Sequence, residues 1–157
     1  MPNLKTKRVS RKINLPTKLL GHNKVKVGFP SSVDNDIVMR AVFNNYGTSE
    51  KVNLVGGGSG LSELIPERPF LDNAIRDNRS KYGRAMRKSS PKIIRGETTI
   101  GTVMDKLGIL ATGDIQGEIV NLRTPPNAQS TIKQKKSSNP LIASGEMEGA
   151  VTHVTYD

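Results

Sequence analysis

The stretch from Thr98 to Leu122 sets the terms for whatever fold this chain adopts. Ile100, Val103, Met104, Leu107, Leu110, Ala111, Ile115 and Ile119 recur there at helical spacing. It is the longest such period in the sequence, so a core has to be built around it. Gly101, Gly108, Gly113 and Gly117 interrupt the pattern, and each glycine costs about 1 kcal/mol against alanine in a helix interior. The spacing favours a break or bend near Gly113, with close backbone packing against another helix as the alternative. Pro125-Pro126 ends the element.

Shorter patterns surround it. Lys24-Val-Lys-Val-Gly-Phe29 alternates charged and apolar residues, as a half-buried strand does. After a turn at Pro30 to Asp34, the residues Ile37, Val38, Ala41, Val42 and Tyr46 fall at helical spacing, and Gly47 is a suitable stop. Pro66 keeps its predecessor extended, while Pro69 suits the first turn of a helix running from Phe70 to about Lys88. Ala74, Ile75, Tyr82, Ala85 and Met86 form its expected buried side. Arg76, Arg79, Lys81, Arg84, Arg87 and Lys88 form the other, which is either solvated or turned towards DNA or an acidic neighbour. Gly149 to Tyr156 alternates again and reads as a strand. The expected class is α+β: a small antiparallel or mixed sheet packed with about three helices, an extended basic N-terminal arm and long loops.

Charge divides the chain. Lys5, Lys7, Arg8, Arg11, Lys12, Lys18, Lys24 and Lys26 precede the first acidic residue, Asp34, so most of the net charge of +10 sits at the N-terminus. Residues 1–20 are expected to be an extended arm. Residues 21–157 are expected to form a single domain with a flexible Gly-rich loop at 50–64. A chain of 157 residues can bury a core. With 34% apolar residues and no Trp, that core is lean and the extended segments call for partners. The absence of cysteine excludes disulfides and thiolate metal sites. No run of 18 apolar residues offers a membrane span, and the basic N-terminus lacks the apolar region of a secretory signal. A soluble protein made in the cytoplasm is expected.

Catalytic constellations are thin. His22 and His153 have no ligand-spaced partner at i+3 or i+4, and no G-x-S-x-G elbow is present. Glu146 with Glu148 and Asp34 with Asp36 read as solvated or capping carboxylates. Gly56-Gly-Gly-Ser-Gly60 lacks the Lys-Ser or Lys-Thr of a P-loop and reads as a linker rather than a ligand loop. No catalytic group, cofactor or metal is expected. Lys5, Lys7, Arg8, Arg11, Lys12 and Lys18 are candidate contacts for a DNA backbone or an acidic partner. No motif for sequence-specific reading accompanies them.

Near the C-terminus, Asn127 to Gly145 runs from a polar, basic stretch into an Asn139-Pro140 turn, the apolar pair Leu141-Ile142 and a second turn at Ser144-Gly145. This is the layout of a loop anchored to a sheet. Taken with Asn44-Asn45-Tyr46-Gly47 and Pro66-Glu67-Arg68-Pro69-Phe70-Leu71, the segments Ser130-Thr131-Ile132, Pro140-Leu141-Ile142 and Gly145 resemble the virion morphogenesis (neck or tail completion) proteins of tailed bacteriophages. The resemblance runs from about Val25 to the end. Ala143-Ser144 stands where that family often has Asp-Thr, and the basic arm lies outside the match.

The resemblance implies a structural subunit, not an enzyme. It would assemble as a homo-oligomeric ring joining the head connector to the tail, with other neck, connector and tail proteins as partners. Its place would be the virion, after assembly in the host cytoplasm. Pro66, Arg68, Pro69, Phe70, Leu71, Ser130, Thr131, Ile132, Pro140, Leu141 and Ile142 become the expected assembly-interface residues. Arg68 is expected either to pair with an acidic group in the same or a neighbouring subunit or to face solvent, and the 130–139 loop to reach a neighbour. A tail terminator or head-closure subunit of the same virion is the near alternative. A non-specific DNA-binding protein using its basic arm is the distant one.

Overall fold

The computed structural model describes residues 22–49 and 64–157. The arm at 1–20 and the Gly-rich stretch at 56–60 lie outside the described residues, as do all six candidate arm contacts. The order is β1 (Lys24–Gly28), α1 (Asn35–Tyr46), α2 (Phe70–Ile94), α3 (Ile100–Asn121), α4 (Gln129–Lys135), α5 (Glu146–Gly149) and β2 (Thr152–Tyr156). The described residues form an α+β fold with a two-stranded antiparallel sheet and five helices, two of them short. The described residues contain no helix long and apolar enough to cross a membrane.

Local chemistry places the helix ends. Asp34 caps α1, its Oδ1 accepting from the Asp36 amide at 2.9 Å. Thr99 caps α3 through the Thr102 amide at 3.1 Å. Helix α2 passes Lys88, where the sequence suggested it would stop, and carries Pro91 inside its last turns. It ends one turn later in a Schellman arrangement. The Glu97 amide donates to the Lys92 carbonyl (2.9 Å), the Gly96 amide donates to the Ile93 carbonyl (3.0 Å), and Gly96 has φ +76°. The Ser89-Ser90-Pro91 run masked this stop in the sequence because those residues usually mark a boundary themselves.

Helix α3 is the central element, touching α2, both strands and α5. It runs unbroken from Ile100 to Asn121, so the expected break near Gly113 does not occur. Gly113 and Gly117 face open space. Gly108 is the glycine that packing requires. A Cβ there would lie 2.2 Å from Cδ2 of His153, so close approach is to a strand and not to another helix. The His153 ring lies over this bare stretch of helix, with Nε2 3.0 Å from Oδ1 of Asp105.

The core gathers Ala41, Phe70, Ala74, Ile115, Ile119, Leu122, Leu141, Met147 and Val151, flanked by Val27, Phe29, Ile37, Leu71 and Ile142. Phe29 meets Phe70 edge to face, centroids 6.5 Å apart. Of the expected buried side of α2, Ala74 is buried, and Tyr82, Ala85 and Met86 are half-buried. Ile75 is 42% exposed because it lies about 100° round the helix from Ala74. In the sheet, Lys26 pairs with Val154 and Val27 with His153. Val25, Val27, His153 and Thr155 therefore share the inner face. On the outer face the ammonium groups of Lys24 and Lys26 stand 5.5 and 4.6 Å from the Tyr156 ring.

Between α2 and α3, Asp114 receives Lys81 Nζ at 2.6 Å and the Tyr82 hydroxyl at 2.9 Å. Burial pushes the Tyr82 hydroxyl above its ordinary value of 10.0, and the bond to Asp114 and its charge add to the shift. The unfolded chain therefore releases this proton near pH 10 while the folded chain keeps it. Stability from this group is whole below pH 10 and declines as pH rises beyond it. Tyr82→Phe should flatten the alkaline fall in the urea midpoint. Difference absorbance between wild type and variant should show a phenolate appearing well above pH 10; one appearing at 10 would contradict the assignment.

Candidate functional site

Two of the segments that carried the resemblance, 44–47 and 66–71, meet residues 125–127 around one side chain. Arg68 is 2% exposed. Its Nε donates to the Pro125 carbonyl at 2.8 Å, and Nη1 donates to Oδ1 of Asn44 at 2.8 Å. Nη2 donates to the Pro126 carbonyl at 3.2 Å and to Oδ1 of Asn127 at 3.0 Å. The expectations of a solvent-facing Arg68 and of an acidic partner within the same subunit are corrected. Arg68 neither faces solvent nor meets a carboxylate among the described residues. The planar fork of the guanidinium meets four neutral oxygens converging from two segments, the end of α1 and residues 125–127. Burial lowers its pKa from the usual arginine value.

The end of α1 supplies one wall of this clamp. The Arg68 amide donates to the Asn44 carbonyl at 2.7 Å. Asn45, fully buried, accepts from the Leu71 amide at 3.1 Å. Asn45 thus takes the role of a missing N-cap for α2, since Pro69 at the cap position has no side-chain acceptor. Gly47 has φ +71°, and a Cβ there would lie 3.0 Å from the Glu67 amide nitrogen. Its backbone therefore passes too close to the Pro66 segment for any larger residue. Thr48 and Ile65 complete the join, with the Thr48 amide donating to the Ile65 carbonyl and the Ile65 amide to Thr48 Oγ1, both at 3.0 Å.

Residues 125–127 supply the other wall, and Asn127 Nδ2 ties it to the C-terminal segment by donating to the Pro140 carbonyl at 3.4 Å. Asn139 Oδ1 accepts from the Leu141 amide at 2.9 Å and from Ile142 at 3.3 Å, while its Nδ2 donates to the Val120 carbonyl at 2.9 Å. This turn seats Leu141 in the core. The 130–139 stretch, expected to be a loop, is helical from Gln129 to Lys135. Lys135 turns inward and donates to the Pro140 carbonyl at 3.0 Å. Burial lowers its pKa, and the nearby Arg68 and Arg40 charges lower it further. Arg40 is held by Glu146 at 3.1 Å.

The expected interface residues therefore divide by exposure. Arg68, Phe70, Pro140 and Leu141 are buried within the chain, so they shape this region from behind. Pro66 and Ser130 are exposed, and Pro69, Leu71, Thr131, Ile132 and Ile142 are half-buried. Sequence reasoning missed Asn44, Asn45 and Asn127 as the partners of that segment. Two adjacent asparagines before a helix-ending glycine were the available signal.

An open cleft of about 620 Å³ lies beside the clamp, lined by Tyr46, Gly47, Leu64, Ile65, Pro66 and Pro126 among others. Glu67 is its one ionisable wall group besides the Tyr46 hydroxyl. Among the described residues, no group of three or more His, Cys, Asp or Glu side chains is placed to hold a metal ion. The surface also carries an apolar row on α1, with Met39 47%, Val42 41% and Tyr46 67% exposed, and Leu64 beyond it 57% exposed. No family model matches the sequence, and no curated protein or solved structure matches it either.

Proposed function

We propose that this chain is a structural subunit of a tailed-bacteriophage neck, assembling as a ring that joins the head connector to the tail. The joining of two motif segments, 44–47 and 66–71, through Arg68 and Asn45 carries the reading. Asn127, which also holds Arg68, reaches the Pro140 carbonyl of a third segment at 3.4 Å, which supports treating these strings as one structural unit. The exposed row Met39-Val42-Tyr46 with Leu64 supports an assembly role, because it is apolar surface on a chain with a lean core. A closed ring requires two different complementary patches on each subunit. The outer sheet face, with Val154 53% exposed between Lys26 and Tyr156, is a candidate for the second. The exposed Asp34 and Asp36 beside the α1 row would complement those lysines.

A phage deleted for this gene should make DNA-filled heads and separate tails. Antibody against the chain should label the head–tail junction of complete particles. Joined, infectious particles in the deletion strain would overturn the proposal. Tails of uncontrolled length would instead point to a tail terminator at the adjacent layer.

A further inference from the structure

Helix α2 carries a charge distribution that neither the core nor the proposed ring accounts for. Between Asp77 and Glu97 the sequence holds Arg79, Lys81, Arg84, Arg87, Lys88, Lys92 and Arg95 and not one acidic residue. Lys81 is taken by Asp114 and Arg95 by Glu97. Arg79, Arg84, Arg87 and Lys88 are exposed, and no carboxylate among the described residues pairs with them. The neighbouring acids of α3 are engaged elsewhere: Asp105 with His153, Asp114 with Lys81 and Tyr82, Glu118 with Asn73.

Such an arrangement works against the helix. Arg84–Arg87 and Arg84–Lys88 are like-charge pairs at i,i+3 and i,i+4, each unfavourable by a few tenths of a kcal/mol. A bound polyanion would remove that repulsion. The Arg87 guanidinium lies back over Gly83, with Nη1 3.5 Å from where a Cβ would stand, so the middle of this face is low. Arg79 to Lys88 covers about 14 Å of helix axis, and at about 100° per residue the four cations fan across the solvent half of α2 rather than along one line. A duplex carries one phosphate per about 1.7 Å of axis on two strands, so it offers anions across such a breadth.

We infer that the outer face of α2, through Arg79, Arg84, Arg87 and Lys88, binds the phosphate backbone of double-stranded DNA without reading its sequence. Two observations favour a duplex over an acidic protein or a single strand. The exposed large apolar side chains of α2 are Ile75 and Ile94, outside the 79–88 span, whereas a protein interface has an apolar centre. The one aromatic residue within the span, Tyr82, is turned to Asp114, so no stacking platform for unpaired bases is presented. This inference stands apart from the neck reading and would survive its failure.

The test uses the full chain and a 30-base-pair duplex of arbitrary sequence, titrated between 50 and 200 mM salt. Two variants are compared: Arg84→Gln/Arg87→Gln/Lys88→Gln on the helix and Lys7→Gln/Arg8→Gln/Arg11→Gln in the arm. Loss of three phosphate contacts should reduce the magnitude of the salt slope by about 2.7 in the helix variant. All three helix changes are exposed, so its melting temperature should stay close to wild type. An unchanged slope in the helix variant, or no duplex binding by wild type at 50 mM salt, overturns the inference. Equal competition by polyglutamate at matched charge would assign the face to an acidic protein instead, and tighter binding of single-stranded DNA would also overturn it.

Discussion

Replacing Arg68 should be the most damaging single change in the chain. Arg68→Ala or Arg68→Met leaves four oxygen acceptors without the guanidinium that joins them, those of Pro125, Pro126, Asn44 and Asn127. Each buried, unsatisfied polar group costs about 1–3 kcal/mol, and water will rescue some of them. A loss of about 3–5 kcal/mol is expected, a large share of the stability of an ordinary domain. Arg68→Lys should recover little of it. An ammonium cannot present four donors in one plane, and its charge would be buried with no carboxylate among the described residues to meet it. Urea denaturation followed by circular dichroism reads this directly. A midpoint near wild type for Arg68→Met would show that the clamp holds nothing together.

The second large effect separates two glycines of one helix. Gly108→Ala puts a Cβ 2.2, 2.5 and 2.9 Å from Cδ2, Cγ and Cβ of His153. Rotating the ring cannot relieve a clash that includes its own Cβ, so β2 has to move off α3. That strain is worth about 1–3 kcal/mol and should exceed the gain in helix propensity, about 1 kcal/mol. Gly113→Ala meets nothing within 4 Å and should stabilise by about 0.5–1 kcal/mol. With about 2–4 °C per kcal/mol at this chain length, melting temperatures should move in opposite directions. A rise in both would mean that the sheet does not rest on Gly108.

These two cases mark what could be read from residues alone. Periodicity located α1, α3 and the terminal strands, because each shows one apolar face to one core. It could not tell which α3 glycine matters, since the same residue type serves a crowded site at 108 and an empty one at 113. Nor could it foresee that Arg68 points inward, because arginine is usually exposed. Only the return of the 125–127 carbonyls and of Asn44 makes burial of that charge tolerable, and both are long-range facts. Asn139-Pro140 was legible as a turn because its hydrogen bonds reach only two and three residues along the chain. The 129–135 helix was not, as a seven-residue helix has too few apolar positions to show a period.

The central claim is that this chain works by assembling. Light scattering with negative-stain imaging of the full chain, alone and mixed with the connector and tail proteins that the proposed role requires, tests it most directly. The account predicts rings of uniform diameter whose mass is a whole multiple of 17.1 kDa. Val42→Glu, on the exposed α1 row, should fold normally yet weaken assembly at least about tenfold, as a charge placed in an apolar contact does. A chain that stays monomeric at every concentration, with those partners as without them, would contradict the account.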